Sequence, residues 1–522
     1  MDPILLAPPA RGQAPRWPHH LAAIDMGSNS FRLEIGEVVA DGYRRIDYLK
    51  ETVRLGAGLD ADGLLGEEAA RRGLACLAGF AQRLTGYTPL QVRAVATQTL
   101  REARNRDAFL VRAQAMLGYP IEVISGREEA RLIFSGVARL QPSTVPRLVV
   151  DIGGRSTEMI IGTGRRPLRA ESFQVGSVSL SMRYFGDGRL TKGAFRQAQI
   201  AAGAELEEAL TPFARRHWDE ALGSSGTVGA VSQLLLASGR TDGTITPDGL
   251  RWCIERCLRA GHIDNLDLPG LRDDRRQVIA GGLCLLYTLA THFGIDALQP
   301  ASGALRQGVI FDLAERRVAE ADPAHAHDMR DASVRELQRR FMIDGDQAAR
   351  VAGLADSLYA GVAPAAAAAP ASETRRELHW AAMLHETGMM VSHHDHHRHS
   401  AYLLAHVDAA GFSQSQQRRL ADLVLAQRGS LRKIEPALAN PAFAWQVLCL
   451  RLAIIKCHAR RPIDTAALRL RRDGDRARLT LAPGWDERNP RTLYLLREEA
   501  AAWERGGPLR LQLVERERGL QG

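Results

Sequence analysis

Two stretches of this chain share one pattern, and the repeat limits what the chain can fold into. An apolar run, Leu148-Val149-Val150, ends in Asp151; Ile152-Gly153-Gly154-Arg155-Ser156 turns; Thr157-Glu158-Met159-Ile160-Ile161 leaves. This order reads as a β-hairpin whose turn keeps bare backbone N–H groups and one carboxylate at its mouth. Small residues let a phosphate approach the backbone, and an Asp beside it can hold a metal ion that neutralises the phosphate. Glycine turns are common in hairpins, so one copy would specify little. The chain carries two. Leu21 to Asp25 is a short buried run, Gly27-Ser28-Asn29-Ser30 turns, and Phe31-Arg32-Leu33-Glu34-Ile35 leaves with period two. A hairpin repeated at a domain-sized interval predicts two similar lobes facing each other across a cleft.

At 522 residues the chain exceeds what one core can fill, so several domains are expected. A net charge of +8 suits an anionic partner, although the excess is modest and most arginines must be solvated surface. Nothing in the sequence points to nucleic acid. The cysteines (Cys76, Cys253, Cys257, Cys284, Cys449 and Cys457) form no C-x-x-C pair and read as reduced core residues of a cytoplasmic protein. No run approaches the roughly 20 apolar residues that cross a bilayer. Residues 1–20, with Pro3, Pro8, Pro9, Pro15 and Pro18, lack the layout of a signal peptide and read as a disordered leader.

The expected organisation is α/β: lobe I over 21–133, lobe II over 134–316, a helical domain over 317–466, and a small α+β domain over 467–522. In lobe I, Glu67 to Leu84 predicts a helix, Val92 to Ala96 a strand, and Thr97 the N-cap of a following helix. Ile121 to Ile124 predicts a strand that runs into Ser125-Gly126-Arg127-Glu128-Glu129. Ser125 and Glu128 make a capping box, which gives Glu128 a structural task. Glu129 lies about 100° further around the helix; as a first-turn carboxylate it is either a surface residue favoured by the helix dipole or a functional one. In lobe II, Gly223-Ser224-Ser225-Gly226-Thr227 precedes an apolar helix and suits an anion. The alanine run Pro364 to Pro370 reads as a linker. Beyond it His379, His385, His393, His394, His396, His397, His399 and His406 invite a metal-site hypothesis.

Taken in order, five motifs resemble the exopolyphosphatase / guanosine pentaphosphate phosphohydrolase family: Ala23-Ile24-Asp25-Met26-Gly27-Ser28-Asn29-Ser30-Phe31, Ala96-Thr97-Gln98-Thr99-Leu100-Arg101, Ile124 to Ile133, the Asp151 hairpin, and Gly223 to Thr227. Gly303-Ala304-Leu305-Arg306 adds to them. The resemblance covers nearly everything after residue 20. It implies two actin-like (ribonuclease H-like) lobes around an active cleft, then a domain similar to HD phosphohydrolases and a small C-terminal domain. It implies Mg²⁺-assisted hydrolysis of a terminal phosphoanhydride, with Glu129 as general base and with Asp151 and Glu158 as acidic residues that hold the metal or orient water. The phosphate-binding set it implies is Asp25, Gly27, Ser28, Asn29, Ser30, Thr97, Arg101, Gly153, Gly154, Arg155, Ser156, Thr157, Gly226, Thr227 and Arg306. Homodimerisation and loose peripheral membrane association are further family expectations.

Two members of the family compete as models for the substrate. His396-His397-Arg398-His399-Ser400-Ala401-Tyr402 and Leu384-His385-Glu386-Thr387-Gly388 look like exopolyphosphatases, whose substrate is inorganic polyphosphate. Arg339 to Asp344, Arg451 to Ile455 and Ser302 look more like enzymes that convert pppGpp to ppGpp. The reading adopted is exopolyphosphatase. An actin-like sugar kinase would share both phosphate loops, but the Ser-Gly-x-Glu-Glu-Ala-Arg motif argues against it. A non-catalytic polyphosphate or alarmone sensor would not need Glu129, Asp151 and Glu158 together. Two departures stand out. His385-Glu386 replaces the His-Asp of HD enzymes, with Ala426-Gln427-Arg428 where a later His is expected, so a structural or substrate-lining role, and not a second catalytic metal, is expected for His393 to His399. Arg155 stands where relatives carry Gly or Ala, and it is expected to tune affinity for the anionic substrate.

Overall fold

β-Branched and aliphatic runs that alternate around an Asp-x-Gly turn pair with themselves, because each run buries one face and the turn closes without a Cβ clash. The computed structural model describes residues 19–515 apart from 40–41, 322–327, 369–371, 463 and 465–466. In the first hairpin β1 (His20–Met26) pairs antiparallel with β2 (Phe31–Val39), and β3 (Gly42–Glu51) extends the edge. On the other side β1 runs parallel to β4 (Val92–Ala96), and β4 parallel to β5 (Ile121–Val123). The second hairpin repeats this arrangement. β6 (Arg147–Ile152), β7 (Thr157–Thr163) and β8 (Arg166–Phe173) form the antiparallel side, while β9 (Glu220–Ser224) and β10 (Gln299–Pro300) run parallel to β6. Both sheets have the order third, second, first, fourth, fifth strand of their lobe. Two actin-like lobes are therefore present, each built outward from its hairpin.

Each lobe buries its own apolar core, and a third core lies between them. That shared core is made by the helices Gly126–Leu140 and Leu305–Ala321, through Leu132, Phe134, Val137, Val309 and Ile310. Each such side chain, fully buried, stabilises by roughly 1.5–3 kcal/mol. The two helices touch backbone to backbone: a Cβ on Gly308 would lie 1.8 Å from the Leu132 carbonyl oxygen. The Gly-Ala-Leu-Arg-Gln-Gly stretch is thus explained by packing as well as by any site. Beside the core Asp312 binds Arg93 at 2.6 Å, Arg131 at 2.6 Å and Arg316 at 2.7 Å. Burial opposes ionisation of Asp312, but the three guanidiniums hold its carboxyl far below the usual range.

The chain divides into two compact units, which meet between Arg317 and Val318. In the second, helices such as Gly345–Ala360, Glu373–Met383 and Pro441–Cys457 share one apolar core with a three-stranded sheet. That sheet is β11 (Leu468–Asp473), β12 (Arg476–Leu481) and β13 (Arg510–Glu515). Arg451 and Glu499 pair there with both members buried. The leader expected over 1–20 lies outside the described residues as far as residue 18, and His20 already belongs to β1. In the alanine run, Ala365–Ala368 is a short helix, not a plain linker, and residues 369–370 lie outside the described residues. All six cysteines are buried and free, as core residues should be. Among the described residues no helix is long and apolar enough to cross a membrane.

Candidate active site

The hairpin register fixes what faces what. In lobe I, Asp25 lies opposite Arg32; in lobe II, Asp151 lies opposite Glu158, the matching position. Arg32 Nη1 donates to Asp25 Oδ2 at 2.9 Å. Burial works against the charge on Arg32, but Asp25 outweighs it and the pKa sits above its ordinary value. Asp151 has no such partner. Burial pushes its carboxyl up to about 6, although a hydrogen bond from Ser224 opposes the shift. Glu158 is fully enclosed; Ser172 Oγ donates to one carboxyl oxygen at 2.8 Å and the other oxygen has no hydrogen-bond partner. Burial first, and then repulsion from Glu129 and Asp151, raises Glu158 well above the usual carboxylate range.

Glu129 arrives from the helix Gly126–Leu140, whose first turn lies at the end of lobe I. Ser125 caps this helix, its Oγ accepting from the Glu128 N–H at 3.2 Å. The other half of the expected capping box is replaced. The Glu128 carboxylate instead receives two hydrogen bonds from Arg131, at 2.7 and 2.8 Å. Glu129 turns to the opposite side and accepts from Arg101 Nη1 at 2.8 Å. Burial pushes its carboxyl to about 7 against the pull of Arg101, with repulsion from Asp151 and Asp25 adding to the shift. A carboxyl poised near neutrality is what a general base requires.

Asp25, Arg32, Glu129 and Asp151 meet at a cavity of about 550 Å³ between the lobes, whereas Glu158, expected as a catalytic and metal-holding residue, lies enclosed behind its wall. Its wall carries Asp25, Gly27, Ser28, Asn29, Ser30, Thr97, Glu129, Asp151, Gly153, Gly154, Ser156, Gly226, Thr227 and Arg306. Polar atoms sit there without protein partners: Asn29 Nδ2 and Ser30 Oγ are buried and unpaired. An anion that brings oxygens to this loop would satisfy them. At the second small-residue turn, Ser225 holds φ 96°, a left-handed backbone unusual outside glycine. A Cβ on Gly226 would lie 2.1 Å from Arg275 Nη2, so the guanidinium rests directly over this turn.

Three residues expected to bind phosphate are placed elsewhere. Thr157 is fully buried and donates to the Val175 carbonyl at 2.6 Å, because alternation along β7 turns it away from the face that carries Glu158. Arg101 spends its nitrogens on Glu129, the Ile124 carbonyl and Gln98, so it serves Glu129 and not the cavity wall. Arg155 reaches across to lobe I, where its Nε and Nη2 donate to Glu102 at 2.9 and 2.7 Å. Arg32, Arg45, Lys50, Arg272 and Arg275 line the cavity although no motif marked them. The register of the first hairpin could have found Arg32; the other four have no local signature.

The match to known proteins follows this geometry. The model of the Ppx/GppA phosphatase family matches residues 35–317, and that of its domain III matches 329–500. The chain belongs to the Ppx/GppA phosphatase family. Among solved structures it is similar to an exopolyphosphatase-like protein at 26% identity and TM-score 0.50, over 57% of this chain and 99% of that one. It is also similar to an exopolyphosphatase from Cytophaga hutchinsonii at 25% identity and TM-score 0.51, over 56% of this chain and 97% of that one. In the Ppx/GppA domain III of this chain, His385, His396 and His397 are buried, and burial pushes each imidazole down to about 4. Gln427 Nε2 donates to the His385 carbonyl at 2.9 Å. Among the described residues no group of three or more His, Cys, Asp or Glu side chains is arranged to hold a metal ion.

Proposed function

We propose that this phosphatase is an exopolyphosphatase that releases orthophosphate from the end of inorganic polyphosphate. One observation carries the reading: a buried carboxylate raised to about 7, Glu129, opens onto a cavity between two Asp-Gly loops whose wall also holds six cationic side chains. Phosphoanhydride hydrolysis asks for little covalent chemistry; it needs charge neutralised and a water placed in line. Glu129 takes a proton from that water as the water oxygen bonds to the terminal phosphorus. The bridging P–O bond breaks and the shortened chain leaves with the electron pair. The Gly153 and Gly154 loop and the Ser28 to Ser30 loop hold the phosphate oxygens, and Arg32, Arg275 and Arg306 offset their charge. The two structural relatives, one an exopolyphosphatase and one described as exopolyphosphatase-like, support the choice of substrate.

Mg²⁺ belongs to this reading, and the donors fit it. Asp151 stands on the cavity wall, and Glu158 beside it has a buried oxygen without a partner. Two carboxylates suit an ion that keeps several waters and takes its remaining ligands from substrate phosphates. Bound there, Mg²⁺ would neutralise the phosphate oxygens and polarise the scissile bond.

One observation favours a second reading, hydrolysis of pppGpp to ppGpp. Tyr48 presents a partly exposed ring on the cavity wall, and guanine could stack there by displacing the Arg45 or Arg306 guanidinium that lies over the ring at 5.5 and 5.2 Å. Phosphate release from long-chain polyphosphate and from pppGpp, measured side by side with Mg²⁺, separates the two. The proposal expects turnover of polyphosphate, and Glu129→Gln should lower it by about 100-fold or more while the fold survives. Turnover of pppGpp alone would select the second reading. Near-normal turnover by Glu129→Gln would remove Glu129 from the chemistry.

A further inference from the structure

Arg155 is bound in a way that a phosphate-binding arginine would not be. Its guanidinium leaves the lobe II loop and lands on lobe I, donating twice to Glu102 Oε2 and, at 3.3 Å, to the Gly56 carbonyl. Close packing reinforces this path: a Cβ on Gly56 would sit 2.9 Å from Arg155 Cδ. The link does not end at Glu102. Gln98 Nε2 donates to Glu102 Oε1 at 2.6 Å, and Gln98 Oε1 accepts from Arg101 Nε at 2.9 Å and Arg101 Nη2 at 2.6 Å. Arg101 Nη1 then holds Glu129. One chain of charged and amide groups therefore runs from the second phosphate loop, across the cleft, to the candidate base. Gln98 can occupy its place in only one sense, with its amide nitrogen on the carboxylate and its oxygen on the guanidinium.

We propose that Arg155 is a positioning residue. It pins the second phosphate loop to lobe I and, through Glu102 and Gln98, fixes the direction from which Arg101 holds Glu129. The inference rests on the hydrolase reading above. Losing the pin leaves Glu102 without its cation and lets the Gln98–Arg101 pair rotate. Glu129 then holds its water off line, whereas the phosphates keep their own ligands. The loss therefore falls on kcat and not on KM.

The test is steady-state phosphate release with Mg²⁺, from polyphosphate and from pppGpp, for Arg155→Ala, Arg155→Lys, Glu102→Ala and the double variant Arg155→Ala/Glu102→Ala. Arg155→Ala should lower kcat by about 10- to 100-fold with KM nearly unchanged. Arg155→Lys, which keeps the charge but not the fork, should recover part of that loss. Because both residues act through one link, the double variant should be no worse than the poorer single variant. A raised KM at normal kcat would make Arg155 a substrate contact. Losses that multiply, or no loss at all, would overturn the pin. If the wild-type protein releases phosphate from neither substrate, the hydrolase reading fails. The pin is then judged by a thermal-unfolding cycle over positions 155 and 102, in which additive losses would overturn it.

Discussion

The two hairpins share strand order, register and turn length, but they differ at the residue opposite the aspartate. In lobe I that residue is Arg32, and the hairpin neutralises itself. In lobe II it is Glu158, and two carboxylates face one another without a guanidinium bound between them, both raised above their ordinary pKa first by burial. Folding alone would favour the first arrangement, since a buried pair of like charges is costly unless a cation arrives. The same architecture therefore supports two tasks. On the proposed function, lobe I presents an anion-binding loop, with unpaired polar atoms at Asn29 and Ser30. Lobe II stores unfavourable electrostatics beside Glu129, as sites of chemistry commonly do.

One frame, the shared core with its Asp312 cluster, carries both hairpins. Asp312→Asn leaves the buried Arg93 and Arg131 with Glu128 as their remaining shared carboxylate. Chemical denaturation should show a loss of about 3–5 kcal/mol. A loss below about 1 kcal/mol would mean that the shared core needs no ionic support. The next effect separates the hairpins directly. Asp25→Asn orphans Arg32 and should destabilise the protein by about 1–3 kcal/mol.

Glu158→Gln should do the opposite. Because folding raises the pKa of Glu158, its stabilising contribution is present below the ordinary carboxylate value and is lost as pH rises. The variant escapes that loss. In metal-free buffer near pH 8 it should therefore unfold at a higher temperature than the wild type, with a gain of about 1 kcal/mol that disappears near pH 4. Destabilisation by Glu158→Gln at the higher pH would show that the two hairpins are electrostatically alike.

Much of this was legible in the sequence because it is local. Alternation and the Asp-x-Gly turns gave both hairpins, and strand Val92–Ala96 fell where the apolar run placed it. Ser125 was read correctly as a cap. The side-chain role of Glu128 was not, because Arg131 and Arg93 compete for it and Arg93 comes from another strand. Local sequence leaves Glu129 open between a surface and a functional role, and only the fold shows it buried at a cavity. Thr157 could have been excluded by strand alternation. The assignments for Arg101 and Arg155 could not have been made from local pattern, since their partners Glu129, Gly56 and Glu102 lie far away in sequence. Lys50 comes from an edge strand, and Arg272 and Arg275 from the start of the helix Asp273–Phe293, and neither stretch carries a motif.

On the proposed function, the lobe II hairpin needs a divalent cation and the lobe I hairpin does not. The Mg²⁺ dependence of phosphate release, measured for wild type, Asp25→Asn and Asp151→Asn, tests it most directly. Asp25→Asn should raise KM for substrate but reach half-maximal rate at the wild-type Mg²⁺ concentration. Asp151→Asn should need about tenfold more Mg²⁺ or fail to respond to it. An unchanged Mg²⁺ requirement in Asp151→Asn, or a shifted one in Asp25→Asn, would contradict it.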